Sequence, residues 1–169
     1  MKAFINSQFG YCPLVWMCHS RRLNHRINRI QERSLRIVYD DAISSYEDLL
    51  RLDDSVTIHE KNIQALVTEM FKVVKGIGPD IMNDVFQLKE NSLYSTRFPF
   101  KTHNVHTEHY GKESLSFLGP KLWSLVPEKI KMSNSLKEFK ELIKTWKTDK
   151  CPCRLCKTYI HGVGYVVVS

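Results

Sequence analysis

The sequence predicts a mainly α protein: a small helical bundle, a helical C-terminal extension with an irregular middle loop, and a short Cys-rich tail. Three observations predict it. Apolar residues recur at helical spacing over 23–38, 63–74 and 136–146. Capping-box residues precede three apolar segments, and β-prone residues gather mainly at the very end, over 163–168. With 169 residues, 43% of them hydrophobic, the chain can bury a core of one domain or one and a half. The boundaries read as 1–55, then 56–148 with its loop at about 91–110, then 149–169.

The opening segment to Met17 carries Phe4, Ile5, Phe9, Tyr11, Leu14, Val15 and Trp16, broken by Gly10 and Pro13. It is too apolar to stand uncovered, and Cys12 and Cys18 among these neighbours read as buried thiols. Residues 19–41 form the first long helix. Arg22, Arg26, Arg29, Arg33 and Arg36 fall at i, i+4, i+7, i+11 and i+14, which gathers five guanidinium groups into one stripe interrupted only by Glu32. Leu23, Ile27, Ile30, Ile37 and Val38 form a second stripe about 100° further round, expected to pack.

Ser44-Ser45-Tyr46-Glu47 resembles a capping box for a short helix with Leu49, Leu50 and Leu52. Thr57-Ile58-His59-Glu60 is a second box, opening a helix that carries Ile63, Leu66, Val67, Met70, Phe71 and Val74 to a stop at Gly76. Pro79 starts another, with Ile81, Met82, Val85 and Phe86 inward. His103, His106 and His109 read as solvated loop residues, lacking an apolar helical face around them. Gly119-Pro120 opens a short helix with Leu122, Trp123 and Leu125, ended by Pro127. The last helix follows the box Ser135-Leu136-Lys137-Glu138, with Leu136, Phe139, Leu142, Ile143 and Trp146 inward and Lys137, Lys140, Lys144 and Lys147 outward. The expected core is Leu23, Ile27, Ile30, Ile63, Leu66, Met70, Phe71, Leu122, Trp123, Leu142 and Trp146.

Charge sharpens the functional reading. The net charge of +7 divides into +5 up to residue 40, +4 from Lys137 to Lys157, and −2 between. Two basic ends suit a polyanion held at two places. No apolar run approaches the roughly 20 residues that span a bilayer, and no signal-peptide pattern opens the chain, so the cytosol or nucleus is expected and no membrane partner.

Chemistry is sparse by comparison. Tyr39-Asp40-Asp41 looks like the two-carboxylate signature of a polymerase hairpin that holds Mg²⁺, but the spacing is short by one residue and the segment continues a helix. It reads as an acidic helix end and a turn. No Gly-rich phosphate loop, nucleophile elbow or His-Glu-x-x-His occurs. Five cysteines without a secretory signal argue against a disulfide framework. Cys151, Cys153, Cys156 and His161 are the ligand set of a structural zinc site, in the arrangement C-x-C-x-x-C-x-x-x-x-H, with Lys150, Arg154 and Lys157 as a basic rim. The rival reading is a flexible, reduced basic tail.

Read in order, Phe4-Ile5-Asn6-Ser7, Tyr11-Cys12-Pro13-Leu14-Val15-Trp16, Ile30-Gln31-Glu32-Arg33-Ser34-Leu35-Arg36, Leu49-Leu50, Asp54-Ser55-Val56, Ile58-His59, Met70-Phe71-Lys72, Tyr110-Gly111 and Leu118-Gly119-Pro120-Lys121-Leu122-Trp123 resemble the region after the palm in reverse transcriptases of non-LTR, LINE-like retrotransposons. Cys151-Pro152-Cys153-Arg154-Leu155-Cys156-Lys157-Thr158-Tyr159-Ile160 resembles a tail that some of these elements carry. The resemblance implies a thumb over about 1–55 and a C-terminal extension, separated from the palm and fingers that hold Mg²⁺ and catalyse RNA-directed DNA synthesis. It implies RNA and DNA, as primer–template, for partners, together with the absent palm and fingers. Arg22, Arg26, Arg29, Arg33 and Arg36 would then track the backbone, with Lys140, Lys144 and Lys147 as a second contact. The family's catalytic carboxylates are not in this chain, so its polymerase activity is not expected here. A helical protein-interaction domain for an acidic partner is the alternative, and a small enzyme is a third reading for which the sequence supplies no active site.

Overall fold

The computed structural model describes residues 5–89, 99–101, 104–107, 111–112, 114–148, 151–153 and 155–156, with side chains from residue 7 onward. Among the described residues the fold is mainly α, as the patterning predicts, with nine helices and no strand. They are α1 (Ile5–Phe9), α2 (Pro13–Trp16), α3 (Arg21–Tyr39), α4 (Tyr46–Leu52), α5 (Ile58–Val74), α6 (Asp80–Val85), α7 (Leu115–Leu125), α8 (Glu128–Lys131) and α9 (Leu136–Thr145). One isolated antiparallel bridge joins Leu88 to Phe100. The chain divides into two compact units, Met1–Ile63 and Gln64–Ser169, the boundary falling inside the continuous helix α5.

In the first unit α3 packs on α4, and Leu35, Leu49 and Leu50 form the buried cluster, with Tyr39 and Tyr46 laid against it. Ser20 caps α3, its hydroxyl accepting from the Leu23 N–H. The face that α3 buries differs from the expected one. It consists of Ile27, Gln31, Ser34 and Leu35, whereas Leu23, Ile30, Ile37 and Val38 are exposed at 44%, 48%, 82% and 50%. Polar satisfaction accounts for the rotation. Gln31 donates to the Val56 carbonyl at 3.0 Å and accepts from the Tyr46 hydroxyl at 2.7 Å, while Ser34 donates to its own helix at Ile30. With its partners supplied, a glutamine can replace a leucine inside.

The turn after α3 explains Tyr39-Asp40-Asp41. Asp40 closes the helix in the left-handed region at φ 49°, where a short polar side chain is tolerated. Tyr39 donates to Asp53 at 2.9 Å, and that hydrogen bond raises the phenol above its ordinary value, with burial adding to it. Asp41 accepts from the Ile43 and Ser44 N–H groups at 2.9 and 2.8 Å. These bonds, the Ser44 side-chain contribution first, hold its carboxyl at about 2 against an ordinary 3.8. The lowered value means that the charged form supports the turn above the ordinary value, and the support is lost as pH falls through about 2. We expect the Asp41 side-chain carbonyl resonance to titrate with a midpoint near 2 in NMR. A midpoint near 3.8 would contradict this geometry. Because Asp41 occupies Ser44, the cap of α4 moves one residue on: Ser45 accepts from the Asp48 N–H and donates to its carboxylate, so the box is Ser45/Asp48 and not Ser44/Glu47.

At the N-terminus, Cys12 and Cys18 are exposed, contrary to the reading of buried thiols. Met17, just past the end of α2, is fully buried, and Tyr11 and Val15 remain open to solvent. Trp16 is held locally, donating to the Tyr11 carbonyl at 3.0 Å and lying against Phe9.

α5 begins with the predicted box: Glu60 N–H donates to the Thr57 hydroxyl at 3.2 Å, and Thr57 N–H donates to the Glu60 carboxylate at 2.9 Å. In the second unit Leu66, Val67, Met70, Phe71 and Val73 of α5 are buried, while Val74 opens toward the Gly76 stop, where φ is +65°. An aromatic series forms the core: Phe71 stacks on Phe139 at 4.1 Å, Phe139 on Trp123 at 6.3 Å, and Trp123 meets Phe100 edge-on at 5.8 Å. Phe86, which caps the C-terminus of α6, is buried, whereas Ile81 within the helix is exposed, so the core contact comes at the end of that short helix.

α7 runs through Gly119-Pro120 instead of starting there. Its buried face, Leu118, Gly119, Pro120, Leu122 and Trp123, favours the longer helix over the local cost of a proline. A Cβ on Gly119 would stand 2.6 Å from a Phe86 ring atom and 3.0 Å from the Met70 sulfur, so this position accepts no larger residue without displacement. α9 is opened by Ser135, which accepts from the Glu138 N–H at 3.2 Å, and Glu138 reaches back to the Asn134 N–H. It buries Phe139 and Ile143, with Leu142 and Trp146 half-buried. Gln64 of α5 donates to the Lys144 and Trp146 carbonyls that end it.

Candidate functional site

Helix periodicity places the arginines of α3 as expected, and their environments separate them. Arg22, Arg26, Arg29 and Arg33 are exposed and make no hydrogen bond or ion pair among the described residues. Arg36 is engaged instead. It is half-buried, pairs with Glu32 at 2.8 Å and donates to the Asp41 and Ser44 carbonyls, fixing the turn between α3 and α4. The one carboxylate on the helix is thereby drawn to Arg36, leaving the other four guanidinium groups of the stripe unopposed on α3. Leu23, Ile30 and Ile37 repeat every seven residues beside this row, about 70° round the helix.

On α9, Lys137, Lys140 and Lys144 are exposed, and Lys147 lies exposed just beyond the helix. Lys144 lies 3.2 Å from Glu141, a solvent-exposed pair of small energetic weight. Among the described residues Lys140 and Lys147 have no such partner.

The second feature is a cluster of metal-type ligands. Cys151, Cys153 and Cys156 place their sulfurs within 4.8 Å of one another. Cys151 and Cys153 are buried and Cys156 is half-buried. Of the four residues expected to bind metal, the three cysteines come together. His161 lies outside the described residues, as do Lys150, Arg154 and Lys157. Of the three loop histidines, His106 is exposed, whereas His103 and His109 lie outside the described residues.

This cluster can hold a metal ion such as zinc. The chemistry of the donor set fits: zinc takes thiolate sulfurs at about 2.3 Å in a tetrahedral set, which needs the sulfurs about 3.8 Å apart. Contraction from the observed spacing is slight. As thiols alone the sulfurs disfavour ionisation. The hydrogen bond with Cys153 pushes Cys151 up to about 12, burial and the Cys153 charge adding to it and the bond with Cys156 opposing. Cys156 is pushed up by hydrogen bonds with Cys151 and Cys153, then by burial and by the charges of both. Two or three thiolates at this separation need a cation, which a divalent metal supplies.

His59, which the sequence shows only as the interior of a capping box, is buried in the first turn of α5.

No family model, curated protein or solved structure matches this chain. Among the described residues no helix is long and apolar enough to cross a membrane.

Proposed function

We propose that the chain is a non-catalytic nucleic-acid-binding module, the thumb and C-terminal extension of a retroelement reverse transcriptase, holding the primer–template backbone for a palm outside this chain. Four exposed guanidinium groups on one face of α3, unpaired among the described residues, carry the reading. α3 is 19 residues long, about 28 Å, and its arginines recur every one or two turns, which suits successive phosphates along one strand. Backbone contact of this kind positions a duplex and does not read its sequence. Asp41 is committed to backbone N–H groups, which agrees with a part that supports polymerisation without performing it. Zinc, as a structural ion, is the metal we assign to the cysteine cluster.

The test is a salt titration of affinity for an RNA–DNA duplex. If all four arginines meet phosphates, α3 alone should contribute a slope of about −3.6 in log affinity against log salt, the same for unrelated sequences. Affinity independent of salt would refute the reading.

The exposed Leu23, Ile30 and Ile37 row favours a second reading, docking of an acidic amphipathic helix beside the arginines. Ile30→Asn with Ile37→Asn separates the two. It should abolish such docking and leave phosphate contact intact.

A further inference from the structure

The three cysteines of the second unit support a chemistry that needs no fourth ligand. We propose that Cys151, Cys153 and Cys156 form a binding site for trivalent arsenic, taken up as arsenite and held by three arsenic–sulfur bonds. The proposal goes beyond the zinc reading and does not depend on it.

Geometry comes first. The three sulfurs stand within 4.8 Å of one another, so a single centre reaches all of them after a small contraction. All three are thiols, none joined in a disulfide. Cys151-Pro152-Cys153 sets two of them on either side of a proline, whose ring fixes one backbone angle and so limits how far that pair can drift apart before binding. Cys151 and Cys153 are only 4% and 7% exposed, while Cys156 is half-buried and gives a reagent its point of entry.

Burial then selects the centre. A charge taken out of water is costly unless it is paired, so the favoured product of three buried thiols is a neutral one. Three thiolates around a soft monovalent ion would leave two negative charges uncompensated, and around a divalent ion one, whereas a trivalent centre leaves none. Trivalent arsenic is also soft and three-coordinate, its lone pair occupying the fourth direction, so a trio of sulfurs satisfies it completely. The reaction balances without redox change. Three arsenic–oxygen bonds of As(OH)₃ break, three arsenic–sulfur bonds form, and the thiol protons leave with the hydroxyls as three waters.

The test uses the whole chain carrying Cys12→Ser and Cys18→Ser, which removes the two other cysteines, both exposed. Arsenite is added without air and under a phosphine reductant, so that no added thiol competes, and the adduct is weighed by mass spectrometry. One arsenic held by three sulfurs adds about 72 Da, whereas two sulfurs and a retained hydroxyl add about 90 Da. The first adduct is expected, with three thiols lost to titration and any bound zinc released. Adding Cys153→Ser leaves two sulfurs, so the second adduct should form and hold arsenic more weakly. An unfolded chain can also gather its cysteines, so the titration is repeated in concentrated guanidinium, where affinity should fall by about tenfold or more once the fold no longer holds the sulfurs together. No adduct, only the two-sulfur adduct with all three cysteines present, equal affinity with and without Cys153, or equal affinity in the folded and unfolded chain would each overturn the proposal. Stoichiometric zinc that arsenite fails to displace would overturn it and leave zinc standing. Three-sulfur binding by protein that never takes up zinc would support it and remove the zinc assignment.

Discussion

Phe139→Ala should destabilise the second unit by about 3–5 kcal/mol. Phe139 is fully buried, with one ring face 4.1 Å from Phe71 and a second aromatic neighbour, Trp123, at 6.3 Å. Truncation removes the transfer energy of the ring, leaves a cavity among rigid aromatic walls, and breaks two stacking contacts worth about 0.5–1.5 kcal/mol each. Alanine favours helix, so none of the loss comes from α9's own propensity. Phe139→Leu keeps much of the volume and should cost closer to 1.5 kcal/mol. In a thermal melt the alanine variant should fall by roughly 10–20 °C. A loss under about 1 kcal/mol would mean that the aromatic series is not the core.

The same residue shows what the sequence made legible. Ser135, Glu138 and the spacing of Phe139, Ile143 and Trp146 are local signals, and local hydrogen bonds and periodicity carry α9 without outside help. The start of α5 is legible for the same reason. Where partners come from far along the chain, the pattern misleads. Gln31 is inside because Val56 and Tyr46 satisfy its amide, and no reading of α3 alone supplies either. Ile37 is outside because that substitution of polar for apolar turned the buried face. Gly119 looks like a helix breaker until Phe86 and Met70 approach it, and only then does a residue without a side chain become the one that fits. The candidate metal centre divides in the same way. Three cysteines in six positions are visible as a cluster, whereas the burial of Cys151 and Cys153 comes only with the fold.

Replacing Arg22, Arg26, Arg29 and Arg33 together with alanine should lower affinity for an RNA–DNA duplex about 1000-fold near 0.15 M salt. Each guanidinium that neutralises a phosphate releases counterions worth about 1 kcal/mol at that concentration, and four such contacts give about 4 kcal/mol. The loss should shrink as salt rises, because the released ions then gain less, and the log–log slope should flatten by about 3.6. Stability should hardly change. None of the four side chains has a partner among the described residues, the buried face of α3 is Ile27, Gln31, Ser34 and Leu35, and alanine is the best helix former. Arg36→Ala is the contrasting variant. It breaks the pairing with Glu32 and two bonds to carbonyls of the turn, so it should loosen the α3–α4 connection while shifting the salt slope little. Binding that survives the fourfold replacement with an unchanged slope would remove α3 as the nucleic-acid face. Loss that is uniform over unrelated duplex sequences is the expected outcome, since arginines on a phosphate backbone fix where the duplex lies and not which bases it contains.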